Sequence, residues 1–260
     1  MAATKLETRI ARIQRHIGVQ GDGRVGPITV SALERELGVS PSSAQWSLEV
    51  SRKGLAQLVR FEVSSEAHYE RKLQAPYWPG GASGVTVRIG YDLGTHSAKG
   101  IATDFAPHVS DAHVKRLQSA AGKRGTSARR LAARLRSDGI RISLDVANKV
   151  FQGASLPSYA QKTRQTYPGV HRLPADAQAM LLSLVYNRGT KLSGASRREM
   201  RAIAPLVKRK DLAGIADQIV AMKRLWDEDE LPGLHRRRDR EARLVRNSKR
   251  HYDPDEFVRV

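Results

Sequence analysis

Residues 84–94, Gly-Val-Thr-Val-Arg-Ile-Gly-Tyr-Asp-Leu-Gly, alternate apolar and polar side chains. That alternation predicts a single strand, because successive side chains on a strand point to opposite faces. Val85, Val87, Ile89 and Tyr91 then face a core. Thr86, Arg88, Gly90 and Asp92 face the other way, offering a hydroxyl, a guanidinium, bare backbone and a carboxylate in a row. Such a strand packs one side and opens the other to solvent or substrate.

The segments on either side read differently. Upstream, Ser51 is placed to cap a helix with Leu55, Leu58 and Val59 on one face, and Glu62 falls on that same face. A carboxylate there is either a catalytic tool or a solvated group at a frayed helix end, and periodicity leaves both open. Residues 76–83 read as a loop. Downstream the pattern is helical, marked by Val114 with Leu117, by Leu131 with Leu135 before Gly139, and by Val146, Val150 and Phe151. Pro174 to Gly189 has Pro in the first turn, a stripe of Met180, Leu181, Leu184 and Val185, and Gly past the end. Leu212, Ile215, Ile219 and Trp226 mark another helix, and a last one carries Ala242, Leu244 and Val245. The expected fold is mainly α with a small antiparallel β-sheet near residues 75–100, an α+β arrangement.

At the start of the chain, Leu6, Ile10, Ile13 and Ile17 have helical spacing up to Gly18, and Val30, Leu33 and Leu37 mark a second helix after a glycine-rich turn. A two-helix unit of this size is too small to bury an adequate core alone. The expected organisation is a small module over residues 1–40, a linker over 41–50, a main domain over 51–250 and a tail over 251–260.

The 260 residues include no cysteine, which excludes a disulfide framework and a thiolate metal site. No metal motif or cofactor fingerprint is present, so no cofactor is expected. The formal charge of +19 implies a polyanionic partner such as nucleic acid, anionic lipid or a cell-wall polymer. No apolar run approaches the roughly 20 residues that span a bilayer. The opening residues lack the apolar core of a secretory signal. With no Gly-x-Ser-x-Gly elbow and no thiol, the chemistry left is that of carboxylates. A carboxyl on an apolar helix face favours its neutral form and one at a strand end stays ionised, the division of labour that glycoside cleavage needs.

Phe61-Glu62, followed by Gly84-Val-Thr-Val-Arg-Ile-Gly-Tyr91, resembles the helix-Glu and Thr-Ile-Gly-Ile-Gly-His/Tyr signature of phage-type lysozymes. The run Ser83-Gly-Val-Thr through Gly90-Tyr-Asp-Leu-Gly94 is similar to the pesticin-like branch. Ser183-Leu-Val-Tyr-Asn-Arg-Gly189 resembles the Asn-x-Gly helix end of these enzymes. Ser196-Arg-Arg-Glu-Met200 and Gly233-Leu-His-Arg-Arg-Arg238 with Glu241 resemble their arginine-rich motifs. The resemblance spans about residues 50–247. It implies an N-acetylmuramidase that cleaves the β-1,4 bond between N-acetylmuramic acid and N-acetylglucosamine. It makes Glu62 the general acid, Thr86 the holder of the attacking water and Asp92 the second carboxylate, with Tyr91 and Asn187 as substrate contacts; Arg88 is a further expected substrate contact from its charge and its side of the strand. Glu66 and Glu70 are the reserve carboxylates.

Gln14, Asp22-Gly-Arg-Val-Gly-Pro27 and Thr29 resemble the Asp-Gly-x-x-Gly-Pro-x-Thr core of peptidoglycan-binding modules. Asp22, Gly23, Gly26 and Thr29 are the residues this resemblance singles out. Together the parts resemble a modular phage endolysin: a monomer made in the host cytoplasm and acting on the wall after release, with the anionic outer membrane as a further surface and no nucleic-acid partner. A secretion-system effector with the same chemistry is one alternative. A basic nucleic-acid binder, resting on Lys208–Lys210 and Arg236–Arg238, is another, although no aromatic platform accompanies those runs. Arg88 replaces the family's usual Gly. It suits an anionic group of the glycan, and it equally suits pairing with a carboxylate, which would weaken catalysis and leave a wall binder without activity.

Overall fold

A computed structural model describes residues 5–23, 25, 27–37 and 47–260. In chain order the elements are α1 (Lys5–His16), α2 (Pro27–Glu36), β1 (Glu49–Ser51), α3 (Arg52–Val63) and α4 (Glu66–Lys72). The short strands β2 (Thr86–Val87) and β3 (Tyr91–Asp92) follow, then α5 (Ala98–Phe105), α6 (Asp111–Gln118), α7 (Gly125–Ser137) and α8 (Leu144–Val150). The chain continues through α9 (Leu156–Thr166), α10 (Ala175–Arg188), α11 (Arg198–Arg209), α12 (Leu212–Ala221) and α13 (Pro232–Arg246) to β4 (Phe257–Arg259). The protein is thus mainly helical, with two small two-stranded antiparallel sheets among the described residues. No helix among them is long and apolar enough to cross a membrane.

The chain divides into two compact units, Met1–Leu58 with Ser158–Val260, and Val59–Pro157. The first is organised around α10. Every residue from Ala175 to Val185 is buried, including the polar Asp176, Gln178 and Ser183, so this helix is enclosed rather than striped. Gly54 in α3 meets Ala179 of α10, and a Cβ at position 54 would collide with it. The Ser51 hydroxyl caps α3 by accepting from Gly54 N at 2.9 Å. Gln178 of α10 accepts from Glu49 N at 2.9 Å and donates to Leu173 O at 2.8 Å, which seats β1.

β1 pairs with β4 in the register Glu49↔Arg259, Val50↔Val258 and Ser51↔Phe257. Residues 251–260 therefore do not form a free tail. Val258 and Val260 are buried, and apolar burial at alternate positions is what draws the last residues into a strand. Of the expected linker, residues 41–46 lie outside the described residues, while Glu49 and Val50 belong to β1. The second helix of the small module, α2, lies beside β4.

In the second unit the structure corrects the reading of residues 84–94 as one strand. They form a hairpin: Val87 pairs with Tyr91 and Thr86 with Asp92 across the three-residue turn Arg88-Ile89-Gly90. Gly90 takes the positive φ of 61° that such a turn needs. Positions 87 and 91 are paired and differ by an even number, so the period-two pattern runs through the turn unchanged. Val85, Val87, Ile89, Tyr91 and Leu93 are accordingly all buried. Tyr77 adds a third row, exchanging backbone hydrogen bonds with Thr86 at 2.9 and 2.8 Å. Elsewhere in this unit α5 packs on α6. The buried Tyr69 of α4 donates its hydroxyl to Ile142 O at 3.0 Å, and Ile142 N bonds Gln74 O at 2.9 Å.

Candidate active site

Directly opposed residues in antiparallel strands project to the same face. Tyr77, Thr86 and Asp92 therefore form one row across the hairpin and its neighbouring segment. The Arg88 guanidinium lies over the Tyr77 ring, with Cζ 4.2 Å from the centroid. Its Nε is buried without a hydrogen-bond partner among the described residues. Glu62, in the last turn of α3, is half-buried.

The electrostatics of Tyr77 tie these groups together. Burial pushes the phenol above its ordinary value, Arg88 draws it back, and the charges of Glu62 and Asp92 push it up again. One phenol thus senses Glu62, Arg88 and Asp92 at once. The sequence reads Tyr77 as part of a loop. A signal lies in Pro76-Tyr-Trp-Pro79, since Trp78, before Pro79, is held extended and Tyr77 lies next to it.

Asp92 has a second task. Its carboxylate accepts from Gly94 N at 2.8 Å and from Gly84 N at 3.1 Å, closing the strand ends on each other. Gly84 has no side chain because a Cβ there would meet Asp92 Oδ1 and the Gly94 backbone. Thr86 is 5% exposed. Tyr91, expected to touch substrate, is 2% exposed: it stacks on His96 at 4.1 Å, meets Phe105 edge-on at 5.1 Å and donates to Asp104 Oδ2 at 2.5 Å. These contacts make it a packing residue of the hairpin. Glu66 and Glu70 are exposed, and Glu70 accepts from Gln74.

Asn187 belongs to the first unit, at the exposed end of α10, where its Oδ1 accepts from Arg238 Nη2 at 3.2 Å. Arg238 is fully buried and pairs with Glu241 Oε2 at 2.9 Å. Glu241 Oε1 takes Arg237 Nε at 3.1 Å and the Ser183 hydroxyl at 2.6 Å. Arg237 and Arg238 thus belong to a buried ionic network, whereas Arg236, Arg240, Arg243 and Arg246 of the same helix are exposed.

In the small module, Gln14 is 1% exposed and joins the other motif residues: its amide donates to Asp22 Oδ1 at 2.7 Å and to Thr29 Oγ1 at 2.8 Å. It also accepts from Gly23 N at 2.7 Å. Gly23 has φ 78°, and a Cβ there would press on Glu7 O. Asp22, Gly23 and Thr29 therefore hold the inter-helix turn. Gly26 lies outside the described residues.

Among the described residues no group of His, Cys, Asp and Glu side chains has the arrangement of a metal site. The hairpin face and the end of α3 offer a half-buried carboxyl, a phenol, a hydroxyl, a guanidinium and a fixed carboxylate, a set suited to proton transfer and to holding an anionic or hydroxyl-rich ligand. No curated protein matches the chain. Residues 60–236 match the family described as "Domain of unknown function (DUF8812)", a span that takes in Glu62, the hairpin and Asn187. With more than half its length matched, the chain belongs to the DUF8812 family.

Proposed function

We propose that the protein is a peptidoglycan hydrolase, an N-acetylmuramidase that cleaves the β-1,4 bond between N-acetylmuramic acid and N-acetylglucosamine. The observation that carries this reading is the joint placement of Thr86 opposite Asp92 with Glu62 and Asp92 both acting on Tyr77. In it, Glu62 protonates the glycosidic oxygen from a partly desolvated position. Thr86 and Asp92 hold a water for attack from the opposite face of the sugar, with inversion. Arg88, stacked on Tyr77, meets the anionic lactyl or peptide groups of the glycan. The helices α1 and α2 bind the wall and raise the local concentration of substrate. The charge of +19 suits an anionic wall and outer-membrane surface. A phage endolysin, made in the host cytoplasm and released to the wall, is the setting this reading favours, and a secreted wall effector has the same chemistry.

A second reading has its own observation. Both Asp92 oxygens are engaged by backbone amides, which favours a wall-binding protein without activity. Zymography on purified murein separates the two. A cleared zone that Glu62→Gln abolishes supports the hydrolase. Binding to sacculi without clearing supports the binder.

A further inference from the structure

The first unit contains a cavity of about 720 Å³, within the roughly 300–1,000 Å³ typical of small-molecule sites. Four cations line it, Arg172, Lys210, Arg250 and Arg259. The one carboxylate in its lining is Glu49, and Arg259 Nε already holds it at 3.0 Å. Arg172, Lys210 and Arg250 enter no ion pair among the described residues. Among its lining residues cations outnumber carboxylates by three, four less one, while Asp176, in the first turn of α10 with its backbone N–H on Tyr252, is a further acid beside its wall.

Two further features shape it. Pro174 and Ala175 bring the start of α10 to its wall, and no side chain caps that helix. The amino end of a 14-residue helix adds positive potential to the cations. Asp176 in that first turn is 4% exposed and lies behind Tyr252, whose hydroxyl accepts from Asp176 N at 3.4 Å and from Lys249 N at 3.0 Å. The Tyr252 and Phe257 rings line the cavity, and Arg259 lies 5.3 Å over the Phe257 ring. Cations grouped at an aromatic and aliphatic wall suit a ligand with a charged end and an apolar body. Three cations and a helix terminus exceed what a carboxylate can answer with one charge and two oxygens. A phosphoryl group carries up to two charges and three terminal oxygens.

We infer that this cavity binds a phosphorylated small ligand, with Arg172, Lys210 and Arg250 on the phosphoryl oxygens and its apolar part against Tyr252 and Phe257. The site stands independently of the muramidase reading, since none of its residues belongs to the hairpin unit.

The test uses the full chain and a triple variant, Arg172→Gln, Lys210→Asn and Arg250→Gln. Lys210 ends α11 at φ 56°, a conformation that Asn tolerates. Calorimetric titration is made with inorganic pyrophosphate and with glycerol 3-phosphate, against acetate at matched ionic strength. Flotation with phosphatidylglycerol vesicles, against phosphatidylcholine vesicles, forms the other arm. The expected result is saturable binding of pyrophosphate but not acetate, weakened roughly tenfold or more in the triple variant, the scale of lost charge-assisted hydrogen bonds. The melting temperature should be unchanged. Binding of phosphatidylglycerol vesicles alone, lost in the variant, would support the phosphoryl site and identify a lipid headgroup as its source. Equal binding by both proteins in every arm, or no saturable binding in any, would overturn it.

Discussion

Thr86 and Asp92 stand opposite each other in the hairpin, and Asp92 also clasps the hairpin's two ends through Gly84 N and Gly94 N. The residue proposed to hold a water is thus also the residue that shapes the surface. Asp92→Asn should lower stability by about 1–3 kcal/mol, because an amide group would face a buried N–H donor where an oxygen now accepts. Thermal or urea unfolding measures it. Unfolding at the wild-type midpoint would show that these two hydrogen bonds do not hold the hairpin.

Glu241→Gln should destabilise the protein by about 3–5 kcal/mol, because it leaves the buried Arg237 and Arg238 without their carboxylate. A midpoint unchanged in urea would contradict the structural role given to this network. Glu241→Gln should leave the hairpin residues untouched, so any activity that survives should be of the wild-type kind.

Glu199 contributes to how stability changes at low pH. Burial pushes its carboxyl up, but Arg224 at 2.6 and 3.0 Å and Arg198 at 3.1 Å outweigh burial and hold it below its ordinary value. A carboxyl that ionises more readily in the folded state adds stability above the unfolded value of about 4.3, and that stability disappears as pH falls through the lower folded value. The difference in melting temperature between wild type and Glu199→Gln should therefore shrink from about pH 5 downward. A difference constant across that range would rule out Glu199 as the source.

Removing residues 1–40 should lower sedimentation with purified sacculi while preserving cleavage of soluble glycan fragments. The carboxylates and the hairpin lie beyond that segment, and in the proposed function the module contributes proximity rather than chemistry. Equal sedimentation would refute wall binding by α1 and α2. Because α2 lies beside β4, a small drop in melting temperature is also expected.

Helices α7 and α10 were legible in the sequence because apolar residues and a terminal glycine or proline agree there, although α10 is buried all round rather than striped. The hairpin was not, since a three-residue turn between paired positions preserves the alternation of a straight strand. Strand β4 was missed because only Val258 and Val260 mark it and its partner β1 is some 200 residues away in the chain, as in the pair Glu49↔Arg259. Thr86, Arg88 and Asp92 were legible as one face of the alternating run and Glu62 as a carboxylate on a helix face, whereas Tyr77 lay unread between prolines. Tyr91 read as a site residue because its place in the motif cannot reveal which way a ring packs. The burial of Arg237 and Arg238 was equally invisible, since a basic run reads as solvated until Glu241 and Ser183 are seen beneath it.

The most direct test is the release of soluble muropeptides from purified murein by wild type and by Glu62→Gln, with both proteins shown to be folded. Wild type should release reducing N-acetylmuramic acid ends, first in the inverted α configuration. Glu62→Gln should release none while melting at or above the wild-type temperature, since a neutral amide costs less to half-bury than a charge. No release by wild type, or a Glu62→Gln rate within about tenfold of it, the scale of a minor contribution to general acid catalysis, would contradict the assignment of Glu62 as the acid.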